Sequence, residues 1–173
     1  MQLAGANVLR RVAHAVQPHD RHELAPLIAR MTRILTSGHN QGISAPQLGE
    51  SRRVFMLAQP GDEPFAVVNP RVLRRSRELC VDWEKCLSIP GYAGLVERAR
   101  RIQVEYETVD GDPISATLDG DASRVFQHEL DHLDGILYTS RMIPGSFAHE
   151  SLVEDRQHGA ARRASIEASV GVE

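Results

Sequence analysis

Two histidines four residues apart, with a glutamate beside the first, stand in the segment QHELDH at positions 127–132. On a helix, residues i and i+4 lie on one face, so His128 and His132 can present two imidazoles to one metal ion. A divalent ion lowers the pKa of a bound water and polarises a carbonyl, and a neighbouring carboxylate can relay the proton. The spacing therefore predicts a metal site with Glu129 as general acid and base.

A mononuclear catalytic site of this kind usually has a third protein ligand. A third histidine in the pattern of one group of zinc proteases is excluded, because that position is Tyr138. Glu150 and Glu154 are within reach but lie in a polar, alanine-rich tail. Cys86, in DWEKCLSIPGY, offers a thiolate, which is a strong ligand for soft or borderline cations. The residues alone leave this choice open.

The composition narrows the class of protein. The 173 residues suffice for one domain with a sizeable core, and a net charge of −3 gives no bulk electrostatic reason to bind nucleic acid. No apolar run approaches the roughly 20 residues needed to cross a bilayer, and we see no secretory signal. Two cysteines, Cys80 and Cys86, are too few for a secreted disulfide scaffold of this size, so we expect a reducing cytosol.

Two helices are predicted from apolar residues at helical spacing. The first covers positions 22–37, where the apolar residues fall on one face. The second runs through ASRVFQHELDHLDG and carries both histidines. Asp119 or Asp121 is the expected cap at its start, and Gly135 is the expected stop.

Strands are predicted from β-branched runs and from alternation. The runs at 52–59 and 65–73, separated by a turn, indicate strand, turn, strand. Alternation from Ile102, with a turn at 110–111, predicts a hairpin. The segment 136–143 is interpreted as a short strand or an extended finish.

The order of these elements favours an α+β fold, with mixed or antiparallel sheets around a central metal-binding helix. We expect one catalytic domain over residues 1–150. The polar tail at 151–173 is expected to be a frayed helix or disordered.

Three segments, GISAPQLG, EKCLS and QHELDHLDG, resemble the signature motifs of the peptide deformylase family, in the family's order and at fitting distances. NVLRRVAHAV, VVNPRV and RMIPGSF resemble further family segments, the last one typical of its organelle-type, or type 1, branch. The resemblance covers residues 6–148. It implies the deformylase fold and removal of the N-formyl group from the N-terminal, formyl-Met residue of nascent polypeptides, with release of formate.

The resemblance also implies residue roles. The implied metal ligands are Cys86, His128 and His132. The ion in this family is most often Fe(II), and Zn, Ni or Co can replace it, so the native metal stays open. Glu129 is implied as general acid and base. The Gln47 side chain and the backbone N–H of Leu87 would stabilise the developing oxyanion.

Substrate binding follows the same resemblance. The peptide is expected to add as a strand beside Gln41 and Gly42, where a glycine permits close approach. Arg98 is expected to pair with Glu84 and so hold the Cys86 loop, although a solvated strand arginine is the alternative.

Four positions depart from the commonest family pattern: Asn40, Ser44, Lys85 and Asp121. Asn40 replaces a glycine and tolerates a positive φ better than most residues. Lys85, the only lysine, replaces the glycine before Cys86; its ammonium could act on the thiolate or meet a substrate carboxylate, or its stem could point to solvent. Asp121 is expected beside the pocket for the first side chain, where it would reduce the preference for methionine unless it only caps the helix.

The favoured function is deformylation of nascent chains, near the ribosome, by a monomer, with a dimer left open. The alternative is a deformylase-fold amidase acting on another small N-formyl or N-acyl compound, which Lys85 and Asp121 support. An endopeptidase is disfavoured by Tyr138, and a non-catalytic homologue is disfavoured by the intact set of site residues.

Overall fold

The computed structural model describes residues 1–38, 40–58 and 63–153. In these ranges two antiparallel sheets and two α-helices form the fold. The helices are α1 (Leu24–Thr36) and α2 (Gly120–Leu133). The strands are β1 (Gly42–Ser44), β2 (Val54–Leu57), β3 (Phe65–Arg75), β4 (Leu79–Cys86), β5 (Ile89–Ala99), β6 (Arg101–Glu107), β7 (Pro113–Asp119) and β8 (Ala148–His149). The α+β class expected from the sequence is confirmed.

Both predicted helices are present. α1 begins two residues later than expected, after a short 3-10 helix at Pro18–Glu23, and buries Leu24, Leu27, Met31 and Leu35. α2 begins at Gly120, so Asp121 lies inside its first turn and is not the cap residue. Asp119 occupies the cap position, but its carboxylate makes no capping bond and accepts from Arg101 at 2.8 Å instead.

The larger sheet has the strand order β1-β2-β3-β6-β7. It contains the predicted strand-turn-strand as β2 and β3, and the predicted hairpin as β6 and β7. Gly111 in the hairpin turn has a φ of +102°, a conformation that few residues other than glycine adopt. β1 lies at an edge of this sheet, so the outer backbone edge of β1 is available for pairing.

The smaller sheet has the order β4-β5-β8 and places Cys86 at the end of an edge strand. Where a short strand or an extended segment was expected at 136–143, the chain forms a 3-10 helix at Tyr138–Ser140, followed by a single bridge between Met142 and Val96. Gly135, with a φ of +74°, turns the chain after α2 and starts this irregular path. Most of the expected tail lies outside the described residues; 151–153 are helical.

The core fixes the rotation of α2. Its apolar face buries Phe126, Leu130 and Leu133 against the larger sheet, and Phe126 meets Phe55 edge to face with ring centroids 5.0 Å apart. Residues at 128 and 132 lie on another face of the same helix. In the described residues no helix is long and apolar enough to cross a membrane.

Candidate metal centre and active site

A cleft of about 700 Å³ lies between the edge strands β1 and β4, with α2 forming part of its wall. Gln41 and Gly42 line it from the first sheet, and the β4 end lines it from the second. Cys86, Leu87, Gln47, His128 and Glu129 all line this cleft. The fold therefore brings three distant sequence segments to one cavity.

Cys86 meets the two histidines at this cleft. One ligand atom from each of Cys86, His128 and His132 lies within 4.8 Å of the others, and Cys86 Sγ is 3.3 Å from His132 Nε2. Glu150 instead lies beside Lys85, and Glu154 is outside the described residues. One thiolate and two imidazoles are a donor set that suits transition-metal ions, and this cluster could hold one metal ion.

Burial keeps the His132 imidazole in its neutral form. The side chain is 1% exposed, and burial together with the positive charges of His128 and Arg98 lowers its pKa well below the ordinary value. The neutral imidazole is the form that binds a metal.

Glu84 holds the other histidine. Glu84 Oε2 is 2.8 Å from His128 Nδ1, and Arg98 donates to the same carboxylate from Nε at 2.8 Å and from Nη2 at 2.9 Å. The expected ion pair between Arg98 and Glu84 is thus present. Burial alone would raise the pKa of Glu84, but hydrogen bonds from Arg98 and His128 hold it well below its usual range. With Nδ1 occupied, Nε2 of His128 is left for a metal.

Glu129 is buried beside the ligands with unused hydrogen-bonding capacity. It is 3% exposed, and its Oε2 has no hydrogen-bond partner among the described residues. Burial raises its pKa to about 7; the charge of His128 and a hydrogen bond from Ser44 oppose the shift, and Glu84 adds to it. A Cβ on Gly42 would lie 2.5 Å from Glu129 Oε1, so this glycine makes room for the carboxylate.

Gln47 is oriented from both ends of its amide. Its Oε1 accepts from Ser44 N at 2.9 Å and from Ser44 Oγ at 3.0 Å, which closes the turn of a short 3-10 helix at Ala45–Leu48. Its Nε2 lies 3.5 Å from Cys86 Sγ and 3.4 Å from Ser88 Oγ. The amide therefore closes a turn and also aims a donor toward the cluster.

Residues 1–147 match the Polypeptide deformylase family. This chain belongs to that family. A peptide deformylase of Thermotoga maritima is 39% identical over 144 residues, spanning 83% of this chain and 87% of its own length. Peptide deformylase 2 of a Nostoc strain is 35% identical over 151 residues, with 82% and 84% covered.

Solved deformylase structures have the same fold. The crystal structure of the Thermotoga maritima enzyme superposes with a TM-score of 0.78 at 39% identity, covering 83% of this chain and 97% of that one. The Acinetobacter baumannii class I type b enzyme with Met-Ala-Ser bound gives 0.77 at 33% identity, covering 82% and 96%. The family resemblance and the deformylase-like fold predicted from the sequence are confirmed.

Three departures from the deformylase motifs have definite places. Asn40 lines the cleft without a positive φ, since Asn69 is the only described residue other than glycine that has one. The Lys85 ammonium lies in the cleft wall, 3.6 Å from Glu150 Oε2. Asp121 lines a second cavity of about 250 Å³ whose other walls are mostly apolar and which shares Gln41 with the cleft.

Several members of this deformylase site were not predicted from the sequence. Arg124 donates from Nη1 to Glu84 Oε1 at 2.9 Å, and Asp131 Oδ2 accepts from Arg98 Nη1 at 2.5 Å. Arg124 stands four residues before His128, so helical spacing was a signal that could have found it. No local pattern pairs Asp131, on α2, with Arg98 on strand β5.

Proposed function

We propose that this protein hydrolyses the N-formyl group from the N-terminal residue of nascent polypeptides and releases formate. The observation that carries this proposal is the cluster of one thiolate and two imidazoles with Glu129 buried beside it, in a chain of the deformylase family. An amide hydrolase needs an electrophile for the carbonyl and a group that moves protons, and this cluster provides for both.

Cys86, His128 and His132 would hold the metal ion. When bound, the ion supplies Lewis acidity toward the formyl carbonyl and toward water. We propose Fe(II) as the native ion from the family resemblance. A mixed sulfur and nitrogen donor set also accepts Zn, Ni or Co as substitutes.

Glu129 moves the protons in this proposal. Its carboxylate takes a proton from the attacking water, and the water oxygen forms a bond to the formyl carbon. The same proton then goes to the amine nitrogen as the carbon–nitrogen bond breaks. This leaves a free N-terminal amine and formic acid, which gives up its own proton to the amine or to solvent and departs as formate. A pKa near 7 suits both steps, because the group can accept and donate at neutral pH.

Gln47 Nε2 and the backbone N–H of Leu87 are proposed to stabilise the negative charge that develops on the formyl oxygen. The hydrogen bonds from Ser44 to Gln47 Oε1 fix the amide before substrate arrives. A fixed donor of this kind is typically worth roughly 3 kcal/mol in the transition state.

The peptide is proposed to lie between the edges of β1 and β4. Gln41 and Gly42 would pair with its backbone as an added strand, a mode that tolerates variation in the peptide sequence. The similar Acinetobacter baumannii enzyme was solved with Met-Ala-Ser bound, which supports a short peptide product in this cleft. The neighbouring cavity of about 250 Å³ would take the first side chain.

The cellular setting is part of the proposal. We propose that the enzyme acts in the bacterial cytoplasm, close to the ribosome, because formylated chains emerge there. We propose the monomer as the active unit, with a dimer as the alternative.

The test compares two substrates that differ in one group, formyl-Met-Ala-Ser and acetyl-Met-Ala-Ser. We expect the anaerobically prepared Fe(II) protein to release the free amine from the formyl peptide and to leave the acetyl peptide intact. Equal hydrolysis of both would favour a broader amidase. Hydrolysis of neither, with one metal bound per chain, would overturn the proposed substrate.

A further inference from the structure

Arg124 lies on α2, one turn before His128, and its side chain is buried with the residue 7% exposed. Nη1 is 2.9 Å from Glu84 Oε1 and 2.9 Å from the carbonyl oxygen of Val96, and Nη2 is 2.8 Å from the carbonyl oxygen of Cys80. The guanidinium thus contacts a carboxylate and two strand carbonyls at once. A buried charge is tolerated only when it is paired and hydrogen-bonded in this way.

The Glu84 carboxylate is fully occupied by these contacts. Oε1 accepts from Arg98 Nε and Arg124 Nη1, while Oε2 accepts from Arg98 Nη2 and contacts His128 Nδ1. Four contacts on two oxygens leave the carboxylate a single orientation. The His128 ring is held by the same carboxylate, so its orientation depends on both arginines.

The two arginines are not equivalent. Arg98 is shared, because its Nη1 also donates to Asp131, which in turn accepts from Arg141 Nε at 2.6 Å. Arg124 has Glu84 as its only carboxylate partner among the described residues. Removing Arg124 would therefore leave two buried carboxylates, Glu84 and Asp131, with Arg98 as the only fully buried cation between them.

We infer that Arg124 is a positioning residue for the metal site, acting through the Glu84 carboxylate on the ligand His128. This inference rests on the proposed metal ligation. Arg124 keeps Glu84 turned toward Nδ1 of the ring, which keeps the other ring nitrogen available to the ion. In this role Arg124 acts on the metal site through Glu84 and His128.

A purely structural role is the alternative, because Arg124 also ties α2 to the strand carbonyls of Cys80 and Val96. A double-mutant cycle separates the two roles. If Arg124 acts through Glu84, its replacement has no further effect on metal affinity once Glu84 is replaced. If it only supports the fold, the two losses multiply.

The experiment measures zinc affinity by competition with a chromogenic chelator, for the full chain without substrate. The variants are Arg124→Met, Glu84→Gln and the double variant. We expect each single change to weaken zinc binding roughly 10- to 100-fold, the usual effect of losing a partner of a metal ligand. The double variant should bind zinc no more weakly than Glu84→Gln alone.

Ser123→Ala is the matched control. Ser123 is buried on the same helix and donates to the Ala99 carbonyl at 2.9 Å without touching Glu84. This change should lower the thermal unfolding midpoint and leave zinc affinity unchanged. Arg124→Lys keeps the positive charge but loses the several N–H donors of the guanidinium, so it should bind zinc more tightly than Arg124→Met. If Arg124→Met does not fold, Arg124→Lys replaces it in the double-mutant cycle with Glu84→Gln.

Wild-type zinc affinity in both position-124 variants, or losses that multiply in the double variant, would overturn the inference. Zinc affinity is measured apart from turnover, so the two proposals fail separately. If the variants show the expected zinc affinities but the wild-type protein releases no formate, the deformylase function is wrong and the role of Arg124 stands. If the wild-type protein releases formate but replacing Arg124 leaves zinc affinity unchanged, the role of Arg124 is wrong and the deformylase function stands.

Discussion

Glu84 Oε2 lies 2.8 Å from His128 Nδ1, so a buried carboxylate fixes the orientation of one proposed metal ligand. The contact joins β4 to α2, because Glu84 precedes the ligand Cys86 by two residues on the strand. One carboxylate thus connects two ligand-bearing elements. Its environment gives a pH-dependent prediction for the metal-free protein.

The stability of the metal-free fold should depend on the ionisation of Glu84. Its folded-state pKa is lowered, against about 4.3 for an unfolded glutamate. The carboxylate therefore stabilises the fold above that value, and the stabilisation is lost as the pH falls through the folded pKa. We expect urea unfolding to show the largest difference between wild type and Glu84→Gln at neutral pH, and a smaller difference below about pH 4.

Glu97→Gln is the control for this titration, because Glu97 is an exposed glutamate on the adjacent strand β5. Glu97→Gln should change the free energy of unfolding only slightly at every pH. A difference between wild type and Glu84→Gln that stays constant down to strong acid would contradict the role given to the Glu84 charge.

Gly42→Ala should displace Glu129 without removing a metal ligand. The added Cβ would lie 2.5 Å from Glu129 Oε1 and 2.9 Å from Cδ, so the carboxylate must move. We expect kcat for formate release to fall at least about 100-fold, since proton transfer needs the base within hydrogen-bond reach. Metal content should stay at the wild-type level. Ile43→Val, on the same strand, should keep its activity; equal kcat in Gly42→Ala and wild type would refute the close contact.

Gln47→Leu should lower kcat more than it raises KM. It removes the Nε2 donor while keeping a side chain of similar size, and one such donor is worth roughly 100- to 1000-fold in kcat. Ser88→Ala removes the hydroxyl that lies 3.4 Å from the same Nε2 and should reduce kcat far less. Steady-state kinetics that show a raised KM with an unchanged kcat would assign Gln47 to substrate binding instead.

Asp121→Leu should raise kcat/KM for formyl-Met peptides by about tenfold, because a carboxylate in a mostly apolar cavity opposes burial of the methionine side chain. Asp112→Leu, at an exposed position of the β6–β7 hairpin, is the matched control and should change nothing. Comparing formyl-Met-Ala-Ser with formyl-Ser-Ala-Ser measures the effect. If the ratio of kcat/KM for the two peptides is the same in Asp121→Leu and in the wild type, Asp121 does not influence the choice of the first side chain.

Much of this architecture is predictable because its signals are local. The histidines of α2 and the hairpin around Gly111 follow from spacings of a few residues, and both are present. The choice of Cys86 as third ligand needed the family motif, because nothing between residues 86 and 128 tells how the strand approaches the helix.

Other features depend on tertiary contacts that a single sequence does not reveal. The β4–β5 pairing from Leu79 to Ala99 was missed, because much of β4 is exposed and its pattern alternates weakly. The contact of Arg124 with Glu84 spans 40 positions, and many arginines could have filled that place. The irregular path at Tyr138 was also missed, because it starts from the positive φ of Gly135.

Glu129 is proposed to move the proton in formyl hydrolysis at the Cys86, His128 and His132 site. The most direct test measures formate release from formyl-Met-Ala-Ser by Fe(II)-loaded wild-type and Glu129→Ala proteins with matched metal content. We predict turnover in the wild type and loss of at least about 100-fold in the variant, with one metal retained per chain. Equal formate release by the two proteins, or none from the metal-loaded wild type, would contradict it.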